Sequence, residues 1–385
     1  MQTNRLRGNQ DSVLVIGMPD SIHLARWLGF FAGSNLRFNI FTSSPARRLR
    51  PELRQLIVEH PDQFKLVGYP LFLAVPFWLL DKVLGNAIRS KLLELALKKV
   101  RPSIIHAIEI QNAGYILLKA SRGRAAKLFP ERVMLTNWGS DIFWFRQFPK
   151  HLAKIRALLK LASHYSAECQ RDVDLALSLG YKGKVLPVFP NSGGLPDCAF
   201  DVELRSPSVR SQILVKGYHG WVGRAIQVLR ALELLQDELR QMTIVVYSCN
   251  VRTLIAAHWL KMRTGLQITT FKKGQLSHDQ MLELFRVSKI HVGVSLSDAI
   301  STAVLESMAS GAIPVQSGTA CVNEWFSSGG VIIDRPEVEE IAKGIVQGIR
   351  IADQDLDAWQ TNRLVARKRA SRSAVALGMS DFYSN

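Results

Sequence analysis

Short β-branched apolar runs alternate with helix-length amphipathic stretches along most of the chain. In the first half, such runs predict strands at 12–17, 37–43, 64–68, 103–110, 132–137, 164–168 and 184–189. In the second half, they predict strands at 212–217, 242–248, 266–272, 289–296, 312–317 and 330–334. Stretches such as 21–33, 149–162, 223–241 and 277–289 have the periodicity of helices. This alternation predicts parallel sheets that are covered by helices on both faces.

A segment rich in Pro, Gly and Ser, residues 190–212, interrupts the alternation and is the predicted connection between two domains. The length of 385 residues is large for a single core and agrees with that division. We therefore expect an α/β protein with two Rossmann-like domains, 1–195 and 196–362. The carboxyl ends of the strands in each sheet are where a ligand is expected to bind.

The net charge of +17 is concentrated in the first half of the chain. Residues 1–200 contain 28 Lys and Arg against 14 Asp and Glu, whereas residues 201–385 contain 21 against 18. The first half is therefore expected to meet an anionic partner, such as a membrane surface, a nucleic acid or a substrate. The four scattered cysteines favour reduced thiols, and the nine histidines have no metal-ligand spacing, so we expect no metal site and no cofactor.

The longest apolar run, "VGYPLFLAVPFWLL" at 67–80, is too short for a membrane-spanning helix, which needs about 20 residues. A basic stretch follows it, with Lys82, Arg89, Lys91, Lys98, Lys99 and Arg101. Two interpretations stay open: a segment that lies on a membrane, or a buried loop beside a solvated helix face. The first twelve residues are polar and run directly into a strand, so no signal peptide is expected.

Two carboxylates stand out in "SLSDAISTAVLESMASGAIPVQSG", residues 295–318. Ser301 is the predicted N-cap of a helix that follows a buried strand, which makes the N–H groups of Ser301 and Thr302 candidates for binding an anion. Ala303, Glu306, Ser307 and Ser310 share one helix face, which is nearly bare apart from Glu306. A carboxylate there could accept both hydroxyls of a ribose, although an ordinary surface glutamate is the competing interpretation.

A second candidate, "ILVKGYHGWVGRAIQVL", opens the same predicted domain. Lys216 ends a strand, glycines including Gly217 keep the following loop compact, and Arg224 opens the next helix. Two cations and a glycine-rich loop suit a diphosphate. The pattern is neither GxGxxG nor GxxxxGK[ST], so it supports neither a dinucleotide fold nor an NTPase loop.

In the first half, polar residues follow three predicted strands. Gly17 and His23 follow the first, Glu109 ends a strand that also holds His106, and Trp138 and Asp141 lie in "NWGSD". Such convergence predicts one wall of a binding cleft. Each histidine taken alone is more readily explained as a structural residue.

Together these motifs resemble the retaining, metal-independent nucleotide-sugar glycosyltransferases with the GT-B fold, and specifically a family 4-like branch from bacterial surface-polysaccharide synthesis. The acidic pair Asp298 and Glu306 is separated by seven residues and followed by Gly311 and Pro314, as in that family's donor-binding signature. "NWGSDIFWF", "KGYHGWVGRA" and "QSGTACVNEW" resemble that branch. The resemblance covers nearly the whole chain and is strongest in the C-terminal half.

The resemblance implies roles for these residues. On the donor side, Glu306 would bind ribose and Asp298 the sugar, and the diphosphate would meet Lys216, Arg224, Ser301 and Thr302, with Gly17 and Gly217 also near the donor. The acceptor side would include His23, Glu109, Trp138 and Asp141. The chain differs from the family at Asp298, where Glu is usual, at Trp138, where His is common, and at Ile108, where the second His of an HxH element is expected. Glu109 and Asp141 therefore become the catalytic candidates on the acceptor side, beside Lys216, Arg224 and Asp298 on the donor side.

The resemblance also implies two domains facing across a cleft, with a C-terminal helix, 363–385, packing back on the N-terminal domain. The expected activity is hexose transfer from a nucleotide diphosphate sugar to a saccharide or lipid-linked acceptor, in lipopolysaccharide or capsule synthesis, in the cytoplasm at the inner face of the membrane. One alternative is a catalytically silent GT-B partner subunit. Another is a nucleic-acid-binding protein, suggested by a sequence pI of about 9.9 and by the basic stretch near Arg367–Arg372.

Overall fold

Parallel strands in two separate sheets account for the framework of the computed structural model, which describes residues 11–326 and 328–384. The expectation that no signal peptide begins the chain concerns residues 1–10, which lie outside this range. Every strand expected from the apolar runs is present, with ends that differ by a few residues.

The first sheet contains β1 Ser12–Gly17, β2 Arg37–Thr42, β3 Phe64–Val67, β4 Ile104–Ile108, β5 Arg132–Thr136, β6 His164–Ser166 and β7 Lys184–Val185. Their spatial order is β3-β2-β1-β4-β5-β6-β7. β7 is shorter than the predicted 184–189 because Pro187 has no N–H to donate to a sheet ladder.

The second sheet contains β8 Gln212–Lys216, β9 Thr243–Cys249, β10 Gln267–Lys272, β11 Ser288–Gly293, β12 Ile313–Ser317 and β13 Val331–Ile333. Their spatial order is β10-β9-β8-β11-β12-β13. All pairings in both sheets are parallel, which agrees with the near-continuous apolar character of the central strands.

Helices connect the strands and cover the sheets. In the first half they are α1 Ile22–Gly29, α2 Pro51–Glu59, α3 Ala74–Leu84, α4 Ala87–Val100, α5 Tyr115–Ser121, α6 Pro149–Leu161 and α7 Gln170–Ser178. In the second half they are α8 Ala225–Leu234, α9 Val251–Thr264, α10 His278–Val287, α11 Thr302–Ala309, α12 Val338–Gln354, α13 Ala358–Ala370 and α14 Arg372–Met379.

Each sheet has its own hydrophobic core. In the first, Leu14, Ile16 and Ile105 are fully buried against helices such as α4 and α6. In the second, Ile213, Val292 and Val315 are fully buried in the same way. Burial of each such side chain contributes about 1.5–3 kcal/mol, so each sheet is an independent source of stability.

The chain crosses between two compact units at Gly193 and Gly194, and returns to the first unit at Met379. Both glycines have positive φ, 85° and 70°, a conformation that other residues adopt only with strain. The second unit runs from Gly194 to Gly378, so most of the predicted C-terminal helix, 363–385, belongs to it. The reason is that Ala366 and Ala370 of α13 pack in a core with Val304 and Met308 of α11.

Three arginines of the basic stretch near the C-terminus have partners within the second unit. Arg363 donates to the carbonyl oxygens of Phe200 and Val202 at 2.8 and 2.6 Å. The Arg369 guanidinium lies 4.1 Å from the centre of the Trp325 ring. Arg367 forms an ion pair with Asp201. These cations stabilise the fold locally, which weakens the nucleic-acid alternative.

The apolar run at 67–80 is not a buried loop. It forms the 3-10 turn Leu71–Leu73 and the first part of α3, in which only Ala74 and Asp81 are buried. Among the described residues, no single helix has both the length and the apolar composition to cross a bilayer. The segments Leu71–Leu84 and Ala87–Val100 reach that length and apolar composition only when taken together, and the chain bends by 118° between them.

Both sheets reverse their strand order at one point. In the first, β1 lies between β2 and β4, and in the second, β8 lies between β9 and β11. At such a switch point neighbouring connections leave the sheet in opposite directions and open a crevice at the carboxyl ends of the strands. The loops after β1, β4, β8 and β11 are therefore where each unit can bind a ligand.

Candidate functional site

Two loops meet at the switch point of the second unit, one after β8 and one after β11. Leu296 N–H donates to Val222 O at 2.9 Å, and Arg224 N–H donates to Val294 O at 3.0 Å. Gly223 allows the loop after β8 to fold back on itself, because a Cβ there would clash with Tyr218 O in the same loop. Gly217 continues from β8, and its N–H donates to Tyr247 O at 2.7 Å.

Lys216 and Ser301 are in direct contact at the start of α11. Ser301 is the N-cap residue, as predicted, but its hydroxyl does not cap the helix; it accepts a hydrogen bond from Lys216 Nζ at 2.9 Å. The first N–H groups of a helix have no acceptor within the helix and form its positive end. An ammonium beside that end repels it, and an anion bound between them would relieve the repulsion.

A small cavity of about 130 Å³ opens beside this contact. Its lining includes Lys216, Asp298 and Ser301, together with Tyr218, Ser295, Ser297 and Gln316. Asp298 is half-buried, and its Oδ1 accepts from the N–H of Ala299 at 3.0 Å. A cationic group, a carboxylate and hydroxyls therefore line one polar cavity.

Arg224 lies at the same loop but is directed toward the loop itself. Its Nη1 donates to the carbonyl oxygens of Gly220 and Gly223 at 3.0 and 2.9 Å. In this arrangement the guanidinium holds the turn before α8 closed. The structure thus shows a loop-bracing contact for a residue predicted to bind phosphate.

Glu306 lies on α11, one turn beyond Thr302, and is only 7% exposed. Its Oε1 is 2.9 Å from Nε2 of His278, the first residue of α10. The face that was expected to be open to a ligand is largely covered by protein. Ser307 on it is fully buried, and the backbone oxygen of Ser310 accepts a hydrogen bond from Arg210 Nη1. What distinguishes Glu306 on that face is a carboxylate with a polar partner from another helix.

Sequence reasoning missed His278. Ser277 and Gln280 form a capping box, so the start of α10 at this histidine was readable from "SHDQ". What the sequence does not show is that the start of α10 lies against the middle of α11. That contact depends on the packing of two helices that are separated by β11.

The switch point of the first unit gathers Glu109 and Asp141, both buried. Glu109 has φ of 76°, and its carboxylate accepts from the N–H groups of Asn112 and Ala113. Asp141 Oδ2 accepts from the N–H groups of Ile110 and Trp138 at 2.9 and 3.0 Å. Asp141 thus holds the loops after β4 and β5 together, and Glu109 closes the turn within the loop after β4.

Burial sets the protonation behaviour of this pair. Desolvation raises the pKa of Glu109, although its backbone hydrogen bonds oppose the rise. The pKa of Asp141 is raised well above its ordinary value, first by burial and then by the charge of Glu109. These two catalytic candidates therefore lie in surroundings that disfavour their ionised forms.

The remaining first-unit candidates lie near the same loops. The rings of His23 and Trp138 meet edge to face, with centroids 5.7 Å apart, and both side chains are partly exposed. Gly17 ends β1 and packs against Leu24, and its carbonyl oxygen accepts from Ser43 N–H at 2.8 Å.

His106 is a structural residue. It is fully buried between Tyr383 Oη and Thr136 Oγ1, each 2.6 Å from one ring nitrogen. Burial lowers its pKa to about 3, so the ring is neutral in the folded protein at neutral pH. Among the described residues, neither unit by itself brings three His, Cys, Asp or Glu ligand atoms close enough to hold a metal ion.

No family model and no curated protein sequence matches the chain. Solved structures do resemble it. The Anabaena protein Alr3699/HepE in complex with UDP matches with a TM-score of 0.69 at 14% identity, covering 97% of this chain and 99% of that one. A sucrose-phosphate synthase from Thermosynechococcus elongatus matches with a TM-score of 0.68 at 12% identity, covering 97% and 98%.

A UDP-forming α,α-trehalose-phosphate synthase from Burkholderia vietnamiensis matches with a TM-score of 0.66 at 10% identity, covering 97% of this chain and 98% of that one. Such low identities with nearly complete coverage establish the fold. The chain has the GT-B fold, with two Rossmann-like α/β domains, as the sequence predicted.

Proposed function

We propose that the chain is a glycosyltransferase that moves a hexose-type sugar from a nucleoside diphosphate donor to a saccharide or lipid-linked acceptor. The contact of Lys216 with Ser301, the N-cap of α11, carries this proposal, because it concentrates positive charge at a polar cavity on a switch point. In this proposal the second domain binds the donor and the first binds the acceptor. The structurally similar Anabaena protein is described in complexes with UDP and with UDP-glucose, which makes these the first probes.

On the donor side, the diphosphate would bind Lys216 Nζ and the N–H groups of Ser301 and Thr302. Glu306 would accept the ribose hydroxyls, with His278 keeping its carboxylate oriented. Asp298, in the polar cavity, would contact the sugar. The Arg224 guanidinium would act mainly by keeping the loop closed, with its charge adding to the positive field.

The reaction we propose needs neither a metal nor a protein nucleophile. The bond between the anomeric carbon and the diphosphate oxygen breaks, and its electron pair leaves with the diphosphate. The acceptor hydroxyl oxygen bonds to the same face of the anomeric carbon and passes its proton to the departing diphosphate. Lys216 and the positive end of α11 would stabilise the charge that grows on the leaving group.

On the acceptor side, we assign contact with the substrate to His23 and Trp138, whose side chains are partly exposed. Glu109 and Asp141 would maintain the shape of that wall, because backbone N–H groups occupy their carboxylates. Bacterial surface-polysaccharide synthesis, with the protein peripheral at the inner face of the cytoplasmic membrane, remains our proposed setting. The basic character of the first half of the chain supports it.

The test compares Glu306→Ala with Glu283→Ala, which changes an exposed glutamate on α10 of the same domain. Binding of UDP, GDP, ADP and CMP, and of the corresponding sugars, is measured by calorimetry, and donor hydrolysis by product release. We expect the Glu306 variant to bind nucleotide more weakly and to lose turnover, while the control matches the wild type.

Full activity in Glu306→Ala would refute the assigned site. Nucleotide binding by the wild type without any transfer or hydrolysis would favour the silent partner subunit. Binding to generic DNA or RNA that falls steeply with salt, without nucleotide-sugar binding, would favour the nucleic-acid alternative.

A further inference from the structure

Helix α3 is apolar over most of its surface and yet remains exposed. Val83 is 85% exposed, and Phe72 in the preceding turn is 71% exposed. Leu79, Leu80 and Leu84 are each about half exposed. Single exposed apolar side chains are ordinary on soluble domains, but a continuous group of this size marks an interaction surface.

This helix is fixed in place by a buried ion pair. Asp81, the charged residue on its inner side, accepts from Arg89 Nε at 2.7 Å and from Ile88 N–H at 2.8 Å. The same guanidinium donates to Ser43 O at 2.6 Å, which ties the corner between α3 and α4 to the loop after β2. The helix is therefore anchored by polar contacts while its apolar side chains face outward.

The exposed charges of the segment 66–101, which contains α3 and α4, are all of one sign. Within residues 66–101 both acidic side chains, Asp81 and Glu94, are buried and paired with Arg89 and Lys91. The exposed charged residues of this range are Lys82, Lys91, Lys98, Lys99 and Arg101. Lys82 Nζ lies 3.7 Å from the centre of the Trp78 ring, so its stem runs along the apolar surface.

An apolar groove adjoins this helix. It encloses about 430 Å³ between β3, the turn at 71–73 and α4, and its lining includes Leu66, Leu71, Leu95 and Lys99. Apolar walls with a lysine among the lining residues suit a hydrocarbon chain that ends in an anionic group. The groove thus extends the same combination of apolar and basic residues.

We propose that the turn Leu71–Leu73, α3 and the exposed side chains of α4 form a docking face for an anionic lipid bilayer. Apolar residues with a cationic border and no exposed acid match the interface of such a membrane. The helix pair does not span, because Leu93, Ala96 and Leu97 of α4 belong to the core of the first domain. α3 lies in the interface instead. The docking face involves none of the donor-site residues, but it rests on the proposed function in one respect, the peripheral membrane setting, which it assigns to these elements.

The experiment measures sedimentation of the full chain with vesicles of phosphatidylcholine alone and of phosphatidylcholine mixed with phosphatidylglycerol. No nucleotide sugar is present, so the outcome is independent of glycosyl transfer. The wild type is expected to bind the mixed vesicles and to dissociate as salt is raised. Val83→Glu is expected to lower the partition coefficient roughly tenfold or more, because it places a carboxylate on the surface that would enter the bilayer interface.

The matched control is Val251→Glu, which makes the same change at a residue of the second domain that is 70% exposed. It is expected to bind as the wild type does, and circular dichroism checks that both variants are folded. Replacing Lys98 and Lys99 by Ala is expected to weaken binding roughly fivefold per lysine on the mixed vesicles only.

Equal binding by Val83→Glu and the wild type would overturn the proposal. So would an absence of vesicle binding by the wild type. A wild-type protein that forms dimers in analytical ultracentrifugation, which Val83→Glu converts to monomers, would show that a second copy occupies this face, and would also overturn it.

Discussion

The two domains gather polar side chains at the same kind of place, a reversal of strand order, and use them differently. In the second domain Lys216 contacts the N-cap of α11 and lines a cavity. In the first domain backbone N–H groups occupy both carboxylates: Glu109 accepts from its own loop, and Asp141 accepts from its own loop and from the loop after β4. The comparison teaches that a polar residue at a strand end becomes available for chemistry only where backbone groups do not already occupy it.

The largest expected effect comes from removing the cation in the second domain. Lys216→Met is expected to lower the rate of donor hydrolysis or transfer by roughly 10²–10³, because the preorganised positive charge that stabilises the leaving diphosphate is lost. The melting temperature should hardly change, since the side chain is only partly buried. Lys343→Met, at an exposed ion pair in the same domain, is the control. Equal losses in both variants would contradict the assignment.

In the first domain the expected effect is on stability. Asp141→Ala leaves two backbone N–H groups without their acceptor and is expected to cost about 2–3 kcal/mol. Asp141→Asn retains a carbonyl oxygen that can accept both bonds, so its cost should be much smaller. Thermal unfolding, with hydrogen exchange of the loop around Trp138, measures the difference. Equal losses in the two variants would mean that the charge, and not the acceptor oxygen, holds the loops.

A smaller effect is expected at His278, which contacts Glu306 from another helix. His278→Ala is expected to weaken nucleotide binding roughly tenfold, because the carboxylate loses a hydrogen bond that orients it. His278→Gln can still donate and should recover most of the affinity. Calorimetry with UDP distinguishes the two. If both variants bind equally weakly, the imidazole has a role other than orientation.

The smallest expected effect is a change in the pH dependence of stability. The pKa of Asp141 is raised in the folded protein, so the folded state binds this proton more tightly than the unfolded state. As pH rises from the ordinary aspartate pKa of about 3.9 toward the raised value, this group therefore lowers stability. The stability of the wild type relative to Asp141→Asn should decline over that range. Melting temperatures of both proteins are measured over this pH range. A constant difference between the wild type and Asp141→Asn would contradict the prediction.

The sheets were predictable because a buried parallel strand is a local pattern. Each strand was visible as a short apolar run between polar or turn-forming residues. The run at 289–296, for example, contains most of β11. The loop with Lys216 and the N-cap at Ser301 were also predictable, because they follow such strands directly.

What could not be predicted depends on packing between distant segments. No local pattern records the closeness of the residues in three contacts: His278 with Glu306, Arg224 with the carbonyl oxygens of its own loop, and Arg210 with Ser310 O. The run at 67–80 was ambiguous for a related reason, because its apolar composition suits a core or a membrane equally. The burial of Ala74, and of Asp81 against Arg89, shows which side of α3 faces inward.

The return of the chain to the first domain has a consequence for how the protein is made. Phe382 and Tyr383 pack on Trp27, Phe31 and His106, so this aromatic layer of the first domain needs residues that are translated after the whole second unit, Gly194–Gly378. Domains usually fold in the order of their synthesis. Here the second domain has left the ribosome in full before the first can bury His106, and the N-terminal domain is completed last.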